Sequence, residues 1–473
     1  MNRRTLLLGG AAGALATVLP ASVVLSAGAE GAPPADPVLS DAEIYGVPTT
    51  QPLVSQRADP FISQRINGKY YFTGSVPEYD RIVLRSSATI GGLTDAVETT
   101  IWTRPSSGKM GGFVWAPELH RIDGKWYIYF TNSDANDIWR IRPWVLESSL
   151  ADPMDPAGWS VKGEIALEWD SFALDATTFS HRGKRYLLWA QSEPEIAANS
   201  SVYIAEMANP WTLKSKPTRL TTPTKSWEIQ GYKVNEGPAV LVRNGRVFLT
   251  FSASATDANY CMGLLTASAS ADLLDRDSWT KSPDPIFVSN DETKRWGPGH
   301  NSFTVAEDGK TDVLVYHARD YKQITGDPLY DPNRHARVQK LFWHPDGTPL
   351  FGVPVGDGGP IVRLGLRDSR DTFVRHAGTA VQVAPAPRDL GATQFRFVAA
   401  ADGSETIQSV DQPSLFVRIE GTSVTLAAAG TPVRRIPSRG GVTIRTVADP
   451  ALYLRVTAGV VSTAKSGTVF RLS

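Results

Sequence analysis

Between residues 57 and 310 one pattern of residues is written five times, and few folds accommodate it. A polar or ionisable residue leads an apolar run, an X-Gly turn follows, and a second, aromatic-rich run comes after. Asp59-Pro60-Phe61-Ile62 leads to Asn67-Gly68-Lys69-Tyr70-Tyr71-Phe72, and Trp115-Ala116-Pro117-Glu118-Leu119 leads to Asp123-Gly124-Lys125-Trp126-Tyr127. Asp175-Ala176-Thr177-Thr178-Phe179 leads to Arg182-Gly183-Lys184-Arg185-Tyr186, and Glu236-Gly237-Pro238-Ala239-Val240 to Asn244-Gly245-Arg246-Val247-Phe248. His300-Asn301-Ser302-Phe303 precedes Asp308-Gly309-Lys310. The turn glycines are 56, 59, 62 and 64 residues apart, a spacing that marks an array of like units. Glycine supplies the positive φ of a two-residue hairpin turn. Third strands are expected at 81–86, 138–147, 202–207, 262–267 and 337–343, and Trp102, Trp159 and Trp279 open runs that close three of the units. Five four-stranded units arranged radially make a five-bladed β-propeller over residues 50–356.

Innermost propeller strands converge on a central channel, so the residues at their heads face one another at its mouth. Asp59, Asp175, Glu236 and His300 then meet in one pocket. Trp115 holds the matching offset in the second unit, and Glu118 follows three residues later. An unpaired charge at a buried strand head is costly. Carboxylates gathered in a concave site suit glycoside hydrolysis, in which one carboxyl gives a proton to the leaving oxygen and another activates water. Crowding separates their pKa values, and a third carboxylate tunes the pair.

The last stretch, 357–473, carries its own repeat. Thr372-Phe373-Val374-Arg375-His376, Leu415-Phe416-Val417-Arg418-Ile419 and Leu452-Tyr453-Leu454-Arg455-Val456 match, and three such units suggest a β-trefoil after the Asp357-Gly358-Gly359-Pro360 boundary. The whole is expected to be all-β.

With 48 basic and 48 acidic residues, nothing asks for nucleic acid or an anionic membrane, and 13 Trp with 14 Tyr suit a neutral ligand such as sugar. One cysteine, Cys261, excludes an intrachain disulfide and reads as a buried small hydrophobe. Residues 1–29, with Arg3-Arg4 before an apolar run and Ala27-Gly28-Ala29 as cleavage site, read as a twin-arginine export signal. Residues 30–49 are a lead-in. The mature chain is expected to be a secreted monomer with no membrane span.

Ala58-Asp59-Pro60-Phe61, Trp115-Ala116-Pro117-Glu118, Leu174-Asp175-Ala176 and Asn235-Glu236-Gly237-Pro238 resemble the four blocks of glycoside hydrolase family 43. The resemblance implies an inverting glycosidase of arabinofuranosidase, arabinanase or β-xylosidase type, acting on a plant polysaccharide such as arabinan or arabinoxylan. By that match Asp59 is the general base, Glu236 the general acid, and Asp175 the residue that raises and orients the acid. Inversion implies Asp59 and Glu236 carboxyls roughly 6.5–9.5 Å apart. Gly297-Pro298-Gly299-His300-Asn301-Ser302-Phe303 is similar to the block that supplies a channel histidine, which implies His300 as anchor of calcium or another ion at the channel centre. The chemistry itself requires no cofactor. Arg337 matches an arginine that reaches the sugar; Trp115 and Phe113 stand where relatives stack a sugar ring, and Glu118 joins the substrate-binding candidates. Gly112 to Glu118, with 138–142, resembles the exo-acting arabinofuranosidase branch. A β-xylosidase of the same family and a non-catalytic sugar-binding propeller are the alternatives. Ser409-Val410-Asp411-Gln412-Pro413 before Leu415-Phe416-Val417-Arg418 resembles the arabinose-binding trefoil of family 42. Only the first repeat keeps that family's histidine, so His376 with Asp389 is the one candidate sugar site there.

Overall fold

The X-Gly pairs turn as their composition demands. In the computed structural model, which describes residues 51–344, 346–356, 361–369, 371–385 and 390–472, Asn67, Asp123, Arg182 and Asn244 have φ of 51°, 49°, 50° and 52°. The glycines that follow them have φ of 71–83°, so both central residues are left-handed, as a type I′ hairpin turn requires. The fifth turn is longer. Gly309 N–H donates to the Ala306 carbonyl, and the Asp308 carboxylate accepts the N–H groups of Lys310 and Thr311.

Each hairpin grows into an antiparallel sheet. The first holds Ala58–Ile62, Tyr70–Ser75, Arg81–Ser87 and Thr99–Thr103; the second Val114–Ile122, Lys125–Ser133, Ile141–Ser148 and Trp159–Glu164. The third runs Ala173–His181, Lys184–Gln191 and Ser201–Asn209, with Thr212–Leu213 and Thr218–Thr221 both pairing its third strand. The fourth holds Asn235–Arg243, Arg246–Ala253, Cys261–Ser268 and Thr280–Lys281. The fifth departs from the four-strand expectation, with three strands, Trp296–Val305, Asp312–Arg319 and His335–Lys340. Its outer edge is met by the start of the propeller: Leu53 N–H donates to the Ala336 carbonyl, and Ala336 N–H to that of Val54. First and last blades are thereby fastened together.

The apolar faces show the ring closing. Tyr71 and Leu84 of the first blade pack with Trp126 and Phe130 of the second. Tyr129 then packs with Trp189, Leu188 with Phe251, and Phe248 with Tyr316, each pair drawn from successive blades. Val313 and Val315 of the fifth return to Tyr70 and Phe72 of the first. Five inter-sheet cores therefore close a five-bladed propeller. The expected strand at 138–147 begins only at Ile141, which leaves Trp139 in the preceding loop, 54 % exposed.

Beyond the propeller, twelve strands form one closed all-β unit over its own core of Val362, Phe395, Ile407, Ile444 and Phe470. Its three matched hairpins are Thr372–Ala377 with Ala380–Pro385, Phe416–Glu420 with Ser423–Ala427, and Tyr453–Thr457 with Val460–Ala464. This three-fold plan is the expected trefoil. Leu390 packs with Phe342 and Leu350 at the join with the propeller. The export segment, the lead-in, Asp357–Pro360 as boundary and Asp389 lie outside the described residues.

Candidate active site

The innermost strand of every blade carries the same irregularity, and it sets the site. In each, the pairing register shifts near the strand head, and one residue there has positive φ: Asp59 at 51°, Ala116 at 45°, Asp175 at 58°, Gly237 at 54° and His300 at 41°. Such bulges re-aim side chains and gather at active sites. Four of the five are not glycine, and each such residue costs about 1–3 kcal/mol that its surroundings must offset.

The offset is visible as a ring of hydrogen bonds between blades. The N–H of Ala116 donates to Ser75 Oγ (2.8 Å), that of Asp175 to Thr131 Oγ1 (3.0 Å), and that of His300 to Ser252 Oγ (2.7 Å). Each acceptor stands on the second strand of the preceding blade. His317 takes this place in the fifth blade, and its Nδ1 accepts the N–H of Asp59 (3.1 Å), closing the ring. The third blade offers only Ala190, opposite Leu174. Its missing acceptor is replaced by the Asp175 carboxylate, whose Oδ2 takes the N–H of Gly237 (3.0 Å). Asp175 thus grips the backbone beside Glu236.

This phasing refines the expected one. Asp59, Asp175 and His300 are equivalent, whereas Glu236 and Trp115 stand one residue earlier, level with Ala58 and Leu174 in the strand pairing. All of Asp59, Trp115, Asp175, Glu236 and His300 nevertheless line one cavity of about 700 Å³, within the usual range for a small-ligand site.

The carboxyls are held differently. Ser75 Oγ donates to Asp59 Oδ2 (2.6 Å), and Arg334 Nη1 stands 3.5 Å from Asp59 Oδ1. His300 Nδ1 lies 3.3 Å from Asp59 and 3.8 Å from Asp175. Burial alone would raise Asp59; the His300, Arg334 and His317 side chains and the Ser75 hydroxyl outweigh it and hold this carboxyl well below the usual range. Burial drives Asp175 the other way, with Glu236 and Asp59 adding to the rise and Gly237 N–H opposing it. Glu236 is pushed up to about 7, by burial first and also by Asp59, against a lowering hydrogen bond from Tyr260 and the charge of Arg334. Burial lowers both His300 and His317, so the rings are neutral near pH 7. One carboxyl is therefore kept ionised while another keeps its proton to neutrality, which is the division that acid–base cleavage needs.

Other expected residues fall elsewhere. Arg337 is fully buried, pairs with Asp320 and does not line the cavity, because alternate residues of its strand turn into the blade. The guanidinium at the site is that of Arg334, three residues earlier, whose Nη2 donates to Tyr79 Oη (2.8 Å). Phe113 backs Trp115 in a stack 4.7 Å between centroids rather than lining the cavity. Glu118 sits behind the cavity wall, accepting from Thr177 Oγ1 (2.5 Å) and meeting His120 Nε2 (2.8 Å). Trp139 does line it, with Phe172, Tyr232 and Leu329. The buried ring N–H of Trp115 has no partner among the described residues.

The expected ion anchor has no direct donor set around it. Among the described residues no group of three or more His, Cys, Asp or Glu could hold a metal ion, and His300 Nδ1 faces Asp59 and Asp175. In the C-terminal domain His376 Nε2 meets Asp411 at 2.9 and 3.1 Å, and Ser409 Oγ donates to the same carboxylate (2.7 Å).

Residues 49–349 match the model of the family "Glycosyl hydrolases family 43". An extracellular exo-alpha-(1->5)-L-arabinofuranosidase of Streptomyces avermitilis is 55% identical over 358 residues, 76% of this chain and 74% of that protein. Alpha-L-arabinofuranosidase 43 of Humicola insolens is 51% identical over 406 residues, 81% of this chain and 84% of that protein. The crystal structure of an alpha-L-arabinofuranosidase from Lactobacillus brevis superposes with a TM-score of 0.64 at 55% identity, covering 66% of this chain and 98% of that one.

Proposed function

Since the chain belongs to glycosyl hydrolases family 43 and is a glycoside hydrolase, we propose that it releases terminal α-L-arabinofuranosyl units from arabinan or arabinoxylan, with inversion. The observation that carries this reading is the split between the three carboxyls of one cavity: Asp59 held ionised, Glu236 and Asp175 held toward protonation. Glu236 gives its proton to the glycosidic oxygen as the bond to the anomeric carbon breaks. Asp59 takes a proton from the water that attacks the opposite face. Asp175 anchors Gly237 N–H beside Glu236, and its own carboxyl is raised by burial and by Glu236. Arg334 fixes Asp59.

The choice of sugar and of exo action leans on the relatives' names. Parallel assays of aryl α-L-arabinofuranoside and aryl β-D-xyloside test it. The arabinofuranoside is expected to be cleaved at least about 10²-fold faster, the discrimination one mismatched group gives. The reverse order would make the protein a β-xylosidase.

We further propose that the protein is secreted, a reading supported by the twin-arginine segment and by two Streptomyces relatives named extracellular. No helix among the described residues is long and apolar enough to cross a membrane. In the C-terminal domain, the lobe around His376 and Asp389 is the proposed sugar contact, on its likeness to the family 42 trefoil.

A further inference from the structure

Behind Glu236 stands a buried phenol that neither gives nor takes the reaction's protons in the scheme above. Tyr260 precedes the Cys261–Ser268 strand and is 1 % exposed. Its ring lies parallel to that of His317, 5.6 Å between centroids at an interplanar angle of 8°. On another side the ring meets Gly299, where an added Cβ would stand only 2.5 Å from it. Held this way, Tyr260 Oη sits 2.8 Å from Glu236 Oε1. That is the single hydrogen bond the Glu236 side chain receives among the described residues, so Oε2 has no protein partner.

We propose that Tyr260 is a positioning residue for the proton donor, reserving Oε1 of Glu236 as an acceptor so that the transferable proton rides on Oε2 toward the glycosidic oxygen. The inference rests on Glu236 being the general acid. A neutral carboxylic acid has one O–H and one carbonyl oxygen. A donor fixed on one oxygen therefore decides which oxygen bears the proton. As the proton leaves Oε2, the glycosidic C–O bond breaks and the carboxylate that forms keeps its bond from Tyr260. The phenol does not deliver the proton itself. Burial and the nearby carboxylates Glu236, Asp175 and Asp59 push its ionisation well above 10. It remains a donor throughout.

Tyr260→Phe tests this and keeps the ring that packs on His317. On an arabino-oligosaccharide, whose leaving alkoxide needs a proton, kcat/KM should fall about 10–100-fold, the range for one hydrogen bond to a charged group. On a 2,4-dinitrophenyl arabinofuranoside, whose leaving group needs none, the change should stay within about threefold, since acid catalysis supplies little there. The alkaline limb of kcat/KM should also move to higher pH, because ionised Glu236 loses a donor while its other titratable and charged neighbours, Asp59, Asp175, Arg334 and His300, stay in place. Equal losses on both substrates with an unmoved limb would overturn the proposal and leave Tyr260 as packing for His317. Glu236→Gln is run alongside. If that variant also loses equally on both substrates, the acid assignment fails; if only Tyr260→Phe does, the positioning role alone fails.

Discussion

Glu236→Gln is expected to lower kcat/KM on arabino-oligosaccharides by about 10²–10⁴-fold, and to lower it far less on a dinitrophenyl arabinofuranoside. The amide fills the same space and can still accept from Tyr260, but it has no proton to give. Its pH profile carries a second signature. In the native enzyme Glu236 must be protonated, and its pKa lies near 7. The rate should be level through mildly acidic pH and fall about tenfold per unit above that value. Asp59 is ionised throughout that range, so it adds no acid limb there. In Glu236→Gln the alkaline fall should vanish. A profile that keeps it would assign the titration to another group, of which Asp175, raised by burial and by Glu236, is the first candidate.

Asp59→Asn is expected to cost about 10²–10⁴-fold as well, but without regard to leaving group. Water must be activated whichever alcohol departs, and an amide cannot take its proton. The substitution also removes the carboxylate partner of Arg334. Ser75 still has its N–H donor from Ala116, and His317 still accepts the backbone N–H of residue 59, so the local fold should hold. Activity within tenfold of the native enzyme on both substrate types would remove Asp59 from the base role. Together the two variants separate acid from base by their dependence on the leaving group, which a shared structural defect would not reproduce.

Much of this was legible in the chain because the propeller writes its site once per blade. The turn glycines fixed the hairpins, and counting back from them located Asp59, Asp175 and His300. Counting forward would also have located the inter-blade acceptors. Ser75, Thr131, Ala190 and Ser252 each lie seven residues after their turn glycine, and His317 lies eight after, its hairpin loop being longer. What the count could not reveal is that all of these but Ala190 accept the bulged N–H of the next blade, since bulges shift register without a sequence mark of their own. The same shift explains why Glu236 stands one residue ahead of the other heads yet reaches the same cavity.

Residues that occur once were harder to place. Arg334 ends the long connection between the second and third strands of the fifth blade, where no repeat offset marks it, and the family resemblance pointed to Arg337 in its stead. Trp139 resembled a strand residue because Ile138 and Trp139 are apolar and lead directly into the run from Ile141. The carboxylate of Asp137 accepts the N–H of Trp139, and the chain turns there, delaying the strand to Ile141. Tyr260 carries no local signal at all, since its role exists only through contact with Glu236, two strands away in the same blade.

The account stands on a single displacement, in which Glu236 and Asp59 act from opposite faces of one anomeric centre. Proton NMR of the first sugar released from an α-L-arabinofuranoside tests this most directly. The β-anomer should form first and the α-anomer grow in only by mutarotation. An initial α-anomer would mean a covalent intermediate and two displacements, and the roles given to these carboxyls would be wrong.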